Sequence, residues 1–325
     1  MKIRRRQFLQ FGAAAIAVAA SSPVASAQAY PTRPVRIIVG WPAGGGGDIV
    51  ARLMGQWLSE RLGQQFIVEN RPGATSNIGT DAVAHAPPDG YTLLLATAAN
   101  AVNATFYENL NFDFIRDIAG VAGIVDLPLV MEVNPSFPAK TVPQFIAYAK
   151  ANPGMLSVAS PGTGSPNHVA SELFKMMTGA NLVHVPYCGD VPAIADLLGG
   201  QVQVYFGTLS GSMEHIKAGK LHPLAVTTTK RSEALPDVPA MGDFLPGFEA
   251  SAWLGLGAPK NTSAEIVDKL NKEINAALVD PRMKARLADL GLTGLPGSPA
   301  DFGKLIAEDT VKWAKVVKFA GIKPD

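Results

Sequence analysis

From about Val35 onward, short apolar runs alternate with stretches of helical periodicity, the pattern of βα units built around parallel strands. The first unit pairs the run 35–39 with a helix opened by Asp48 as N-cap and stopped by Gly63. Within that helix Ile49, Val50, Leu53, Met54, Trp57, Leu58 and Leu62 recur at i, i+3, i+4 spacing, while Arg52, Gln56, Glu60 and Arg61 take the other face. Strands then follow at 66–69 and 91–96, separated by a helix over 78–86 and the turn Pro87-Pro88-Asp89-Gly90. A second series begins at 129–133. It continues with a helix opened by the capping-box spacing Thr141 to Gln144, strands at 156–159, 183–185 and 202–206, and helices at 166–177 and 191–198.

The tail differs, with helices over 262–278, 281–290 and 299–319. A helical ending after two βα series implies a chain that begins one lobe, builds a second and returns to the first. The expected segments are 28–130, 131–254 and 255–325.

The first 27 residues stand apart. Lys2, Arg4, Arg5 and Arg6 precede an apolar run from Phe11 to Ala20 and an Ala25-Ser26-Ala27 site, the layout of a cleavable export signal. The apolar run is about half the roughly 20 residues that a membrane span requires. Arg5-Arg6-Gln7-Phe8-Leu9 resembles a twin-arginine core, with Arg4 where that pattern usually has Ser or Thr, so the Sec route stays open. Removing this leader takes four basic residues from a chain with 28 Lys+Arg and 27 Asp+Glu, which leaves it mildly acidic and argues against nucleic acid as partner. The one cysteine, Cys188, excludes an internal disulfide, a CxxC motif and Cys-based zinc. The five histidines show no metal-ligand spacing, so no metal and no cofactor are expected.

Two strand–helix loops carry the candidate chemistry. Gly44-Gly45-Gly46-Gly47-Asp48 brings backbone amides to a helix N-terminus, an anion cradle. With no Walker Gly-Lys-Ser/Thr and no G-x-G-x-x-G placement it suits a carboxylate better than a nucleotide; a flexible turn with a capping aspartate is the plainer alternative. The second loop runs from Ser160 through Thr163, Gly164 and Ser165 to His168, with Ser165 as N-cap and Pro166 at the first helical position. Ligands in open α/β sheets sit at strand carboxyl ends and between domains, so two such cradles suggest one ligand. His168 with Ser160 or Ser165 would be the pair of a periplasmic serine hydrolase, but G-x-S-x-G is absent and no acid lies near in sequence to orient the imidazole. Asp190 opens a further helix, as a cap or as the acceptor for a ligand ammonium or hydroxyl.

Taken in order, Trp41-Pro42-Ala43-Gly44-Gly45 with Asp48, Ala51 and Arg52; Glu69-Asn70-Arg71-Pro72-Gly73-Ala74; Pro88-Asp89-Gly90-Tyr91-Thr92-Leu93; Gly162-Thr163-Gly164-Ser165 with His168; Val185-Pro186-Tyr187; and Asp196-Leu197-Leu198-Gly199-Gly200-Gln201-Val202 resemble the substrate-binding proteins of tripartite tricarboxylate transporters, the Bug receptors. Pro236-Asp237-Val238-Pro239 and Trp253 with Ala258-Pro259 fit too, so the resemblance runs over essentially the whole chain beyond the leader. It implies an α/β Venus-flytrap of the type 2 periplasmic-binding class, with two mixed sheets flanked by helices, two lobes closing on a small organic acid or amino acid, and delivery to a membrane permease. It also implies a periplasmic monomer and no enzyme; a sensor for a membrane signalling protein would look the same in sequence. Carried over, the ligand-holding positions are Trp41, Pro42, Ala43 and Gly44; Thr75, Ser76 and Asn77; Thr97 and Asn100; and Ser160, Thr163, Gly164, Ser165 and His168, to which Tyr187 and Asp190 are added. Two departures bear on the ligand. Thr75-Ser76 stand where the family commonly has two glycines, and Cys188 stands where it commonly has Lys or Arg beside the position of Asp190. Both turn the expectation from a tricarboxylate toward a less charged acid, with one carboxylate held near Gly44 and Thr163 and Asp190 at its far end.

Overall fold

The computed structural model describes residues 30–107 and 109–321, so the expected leader and its cleavage near Ala27 lie outside the described residues. Every element below falls in the compact unit that begins at Arg33. In chain order these are β1 (Val35–Val39), α1 (Gly46–Leu62), β2 (Phe66–Asn70), α2 (Asn77–Ala84), β3 (Thr92–Thr97), α3 (Ala98–Phe106), α4 (Phe114–Asp117), β4 (Ile118–Val133), α5 (Val142–Ala151), β5 (Leu156–Ser160), α6 (Pro166–Thr178), β6 (Leu182–Pro186) and α7 (Asp190–Leu198). There follow β7 (Val204–Thr208), α8 (Leu209–Lys217), β8 (His222–Val226), β9 (Ser251–Pro259), α9 (Ala264–Val279), α10 (Pro281–Asp289), β10 (Thr293–Gly294) and α11 (Pro299–Ala320).

Among the described residues the strands form one connected path, β2-β1-β3-β9-β4-β7-β5-β6, with β8 and β10 also paired to β4. Parallel pairs (β1 with β2 and β3; β5 with β6 and β7) flank antiparallel ones at the centre, where β9 pairs with β3 and β4, and β4 with β7. The mixed α/β character thus matches expectation, but the two mixed halves share β4 instead of standing as separate sheets. This 16-residue strand pairs with β9 over 118–128 and with β7 over 129–133. Sequence periodicity marks only its second part, because Gly120, Gly123 and Pro128 interrupt the β-branched pattern of the first. Those glycines have a packing reason: a side chain at Gly120 would meet the Phe302 ring at 3.1 Å, and one at Gly123 would meet the Leu295 backbone at 3.0 Å.

The βα order of the two series holds, because each apolar run buries against helices on the sheet faces. Residues 36–39 and 92–96 are almost wholly buried on β1 and β3, apart from Arg36. Around β5 and β7, Phe145, Phe174, Phe206 and Phe248 form the core of the second half. The last helix reaches both halves. Phe302 packs beside Gly255 of β9, while Trp313 and Val317 belong to the second-half core. Helices α3, α4 and α8 and strands β8 and β9 gave no clear periodic signal in sequence; α3 in particular reads Ala98-Ala99-Asn100-Ala101, too even in hydropathy to mark a face.

One boundary requires correction. Helix α1 starts at Gly46 with Gly45 as N-cap, and Asp48 is the third residue inside the helix instead of its cap. Gly63 does end it, in the left-handed conformation, and Ser165 and Thr141 cap α6 and α5 as their spacing predicts.

Candidate functional site

The ends of β1, β3, β5 and β7 carry the chain into α1, α3, α6 and α8, so four helix N-termini face one region together with α7. The first four amides of any helix lack an intrahelical partner, so each terminus needs a cap, a ligand or water. How each is satisfied defines the site.

At the β1–α1 junction Asp48 turns back to accept the Gly44 amide at 2.9 Å, and is held from behind by Arg52 Nε at 2.9 Å and Asn70 Nδ2 at 2.9 Å. Burial raises its carboxyl, but the bonds from Arg52, Gly44 and Asn70 more than reverse this and hold it below the ordinary carboxylate range. Gly45, the N-cap, has no side chain to offer the α1 amides, whose partner is instead a second carboxylate: Asp190 accepts the Gly46 N–H.

The neighbouring segment is conformationally strained. Ala74, Thr75 and Ser76 are consecutive non-glycine residues at φ 44°, 50° and 76°, a region costly for residues with a Cβ. Compensation comes from side chains: Thr75 Oγ1 donates to the Thr163 carbonyl at 2.9 Å, Asn103 Nδ2 to the Thr75 carbonyl at 2.7 Å, and Thr80 Oγ1 to the Ser76 carbonyl at 2.9 Å. Thr75 thereby joins the first half of the sheet to the β5–α6 loop of the second. Asn77 accepts from Asn103 Nδ2 at 2.9 Å, and Asn100 is spent on the Thr97 amide and on Thr80.

At the β5–α6 junction three amides are met by side chains of the same segment. Ser165 Oγ accepts the His168 amide at 3.2 Å, His168 Nδ1 accepts the Gly164 amide at 3.1 Å, and Ser160 Oγ accepts the Gly162 amide at 3.2 Å. Since its Nδ1 is an acceptor, His168 carries its proton on Nε2, 3.5 Å from Glu172, so contrary to the sequence reading an acid does lie near it along the chain, four residues on in α6. Its ring stacks on His184 at 3.6 Å, and His184 Nε2 lies 2.7 Å from Ser160 Oγ. The serine–histidine pair is therefore Ser160 with His184, not with His168, and the Ser160 hydroxyl belongs to a fully buried residue that also bonds the Gly162 carbonyl.

Asp190 gathers the remaining polar groups. It takes the Tyr205 hydroxyl in a short hydrogen bond, Thr208 Oγ1 at 3.1 Å and the Gly46 amide. Burial pushes its carboxyl up against the downward pull of those donors. Behind it, Glu132 is fully buried on β4 opposite Tyr205 and accepts Ser212 Oγ at 2.6 Å; burial pushes its pKa up to about 8, opposed by the Ser212 bond, with the Asp190 charge adding to the rise. Tyr187, a further candidate, donates its hydroxyl to Asp196 at 2.7 Å.

Between these junctions lies a narrow cleft, part of it open to solvent. Of the sequence candidates Trp41, Pro42, Thr97 and Asp190 line it. Trp41 and Pro42 also line an adjoining cavity with Thr75, Ser76, Thr163, Tyr187 and Cys188. Ala43, Gly44, Asn77, Asn100, Ser160, Gly164, Ser165 and His168 line neither. Sequence reasoning missed Asn167, Thr208, Leu127, Leu254 and the Trp253 ring, which is anchored by Nε1 to Asp309 at 2.8 Å. Trp253 stood among the family-like residues, which was its one available signal. No Lys or Arg lines either cavity, and among the described residues no cluster of His, Cys, Asp and Glu is arranged for a metal. What the walls offer is apolar surface, helix N-terminal amides, hydroxyls and one carboxylate.

A family profile described as tripartite tricarboxylate transporter family receptor matches residues 50–322. Protein BugT of Bordetella pertussis is 38% identical over 311 residues, 95% of each chain. Among solved structures, R. palustris Rpa4515 with adipate superposes at a TM-score of 0.89 with 36% identity, covering 91% of this chain and all of that one. MatC from Rhodopseudomonas palustris with bound malate gives 0.84 with 30% identity, covering 89% and 100%.

Proposed function

From the premise that the chain belongs to the tripartite tricarboxylate transporter receptor family, we propose that it is an exported periplasmic receptor that holds a small carboxylate-bearing ligand in this cleft and delivers it to a membrane permease. The observation that carries the ligand class is the N-terminus of α3, whose Ala98 and Ala99 line an apolar cavity without basic side chains. Backbone amides at helix starts favour one carboxylate and pay little for its desolvation; a polyanion would want Arg or Lys. Adipate and malate in two similar structures support an organic acid as cargo.

In this reading Trp41, Pro42, Thr97 and Asp190 touch the ligand, and Thr75, Ser76, Thr163 and Tyr187 form its entrance. Gly44, Asn77, Asn100, Ser160, Ser165 and His168 shape these walls from behind. The change of partner along β4, between Pro128 and Leu129, supports two lobes hinged there and at the entry to β9. The Thr75–Thr163 bond would be among those broken on opening. The full burial of Ser160, whose hydroxyl is spent on the Gly162 carbonyl and His184, favours binding over hydrolysis.

Thermal melts of the purified chain with mono-, di- and tricarboxylates and amino acids test this. A ligand at 100 times its Kd adds about 2.7 kcal/mol to the folded state. A selective shift by one acid, with the acid recovered unchanged, is the expected outcome. Consumption of the acid, or no shift from any acid by protein first stripped of bound ligand through unfolding and refolding, would overturn it.

A further inference from the structure

We infer that Asp190 is a specificity-determining residue, restricting the cleft to ligands with a single carboxylate and an ammonium or hydroxyl donor at the opposite end; the inference rests on the carboxylate-receptor reading above.

The α1 N-terminus, where an incoming acid would first be sought, is already served by a carboxylate of the protein itself: Asp190 accepts the Gly46 amide, and its Oδ2 lies 3.2 Å from where a Cβ on Gly45 would stand. With Tyr205 and Thr208, that makes three donors to Asp190. A carboxylate offers roughly four acceptor directions, so one remains on a side chain that lines the cleft. None of these donors is charged. Asp48, the neighbouring acid, has Arg52, whereas among the described residues Asp190 has no Lys or Arg within salt-bridge distance and none in the walls of either cavity. Glu132 lies behind the same Tyr205.

A second ligand carboxylate at this end would meet a like charge in a poorly solvated site without a counter-ion. An ammonium would supply the missing counter-charge, and a hydroxyl would donate to the remaining acceptor direction. The ligand's own carboxylate is left the amides at the start of α3, where Ala98 and Ala99 line the cavity. Trp41, Leu127, Trp253 and Leu254 supply apolar walls.

Calorimetric titration with three matched trios tests this: succinate, 4-aminobutyrate and 4-hydroxybutyrate; adipate, 6-aminohexanoate and 6-hydroxyhexanoate; terephthalate, 4-aminomethylbenzoate and 4-hydroxybenzoate. In whichever trio binds, the amino or hydroxy acid is expected to bind at least about tenfold tighter than the diacid, and Asp190→Asn to shrink that ratio by about tenfold or more. A wild-type preference for the diacid, or a ratio unchanged in Asp190→Asn, overturns the inference while leaving the receptor reading intact. The wild-type ranking decides alone should Asp190→Asn fail to fold. Absence of binding by all nine acids overturns both.

Discussion

The β1–α1 and β5–α6 junctions look alike in sequence, each a glycine-rich loop entering a helix with hydroxyl or carboxylate residues beside free amides, yet the fold treats them oppositely. At β5–α6 the amides of Gly162, Gly164 and His168 are all taken by side chains of the same loop and helix. At β1–α1 only Gly44 is served locally, and the α1 terminus reaches across to Asp190 on α7. A cradle motif in sequence therefore marks where an anion can be held, while tertiary partners decide whether the protein supplies that anion itself. The closed junction is a strut and the open one a contact surface.

The largest test concerns what stands behind the open junction. Glu132 has an ordinary carboxyl value of 4.5 when unfolded and about 8 when folded. The folded state then holds an extra proton between these values, so the stability contribution is full below about pH 4.5 and is lost as pH rises through about 8. Urea unfolding should show wild type losing on the order of 4 kcal/mol between pH 5 and pH 8.5 relative to Glu132→Gln, whose curve stays flat in comparison. Parallel curves would mean that the buried acid is not held neutral.

Next, Asp48→Ala removes the carboxylate that holds Gly44, Asn70 and Arg52 together. A loss of about 2–3 kcal/mol in denaturant unfolding is expected, accompanied by weaker ligand binding because the loop backbone is no longer held. Gly46→Ala places a Cβ 2.3 Å from Ser210 Oγ and 2.8 Å from Thr208 Oγ1, so the hydroxyls must yield for the junction to close. Calorimetry should show affinity for any bound acid reduced about tenfold.

The smallest effect belongs to the closed junction. Ser165→Ala deletes the α6 cap and should lower stability by about 1 kcal/mol, with ligand affinity unchanged within about twofold. If its affinity fell as far as that of Gly46→Ala, the distinction between strut and contact surface would be lost.

Local signals in the chain were sufficient for the βα succession, the Ser165 and Thr141 caps and the general place of the cleft, because period-2 and period-3.6 burial, cap chemistry and Gly stops act over a few residues. The family resemblance marked Trp41, Pro42 and Thr97, and the helix start marked Asp190; all four line the cavity. Local signals could not show that 118–133 forms one strand serving both halves, since that depends on pairing with β9 and β7 more than seventy residues away. They could not bring Trp253 and Thr208 into the cleft, nor spend Asn100 and His168 on internal bonds. Asp190 is the clearest case. In sequence it is an acid at a helix start beside a cysteine; only the approach of β7 and the α1 loop gives it Tyr205, Thr208 and Gly46 as donors, since hydrogen-bond partners are chosen by distance in space and not along the chain.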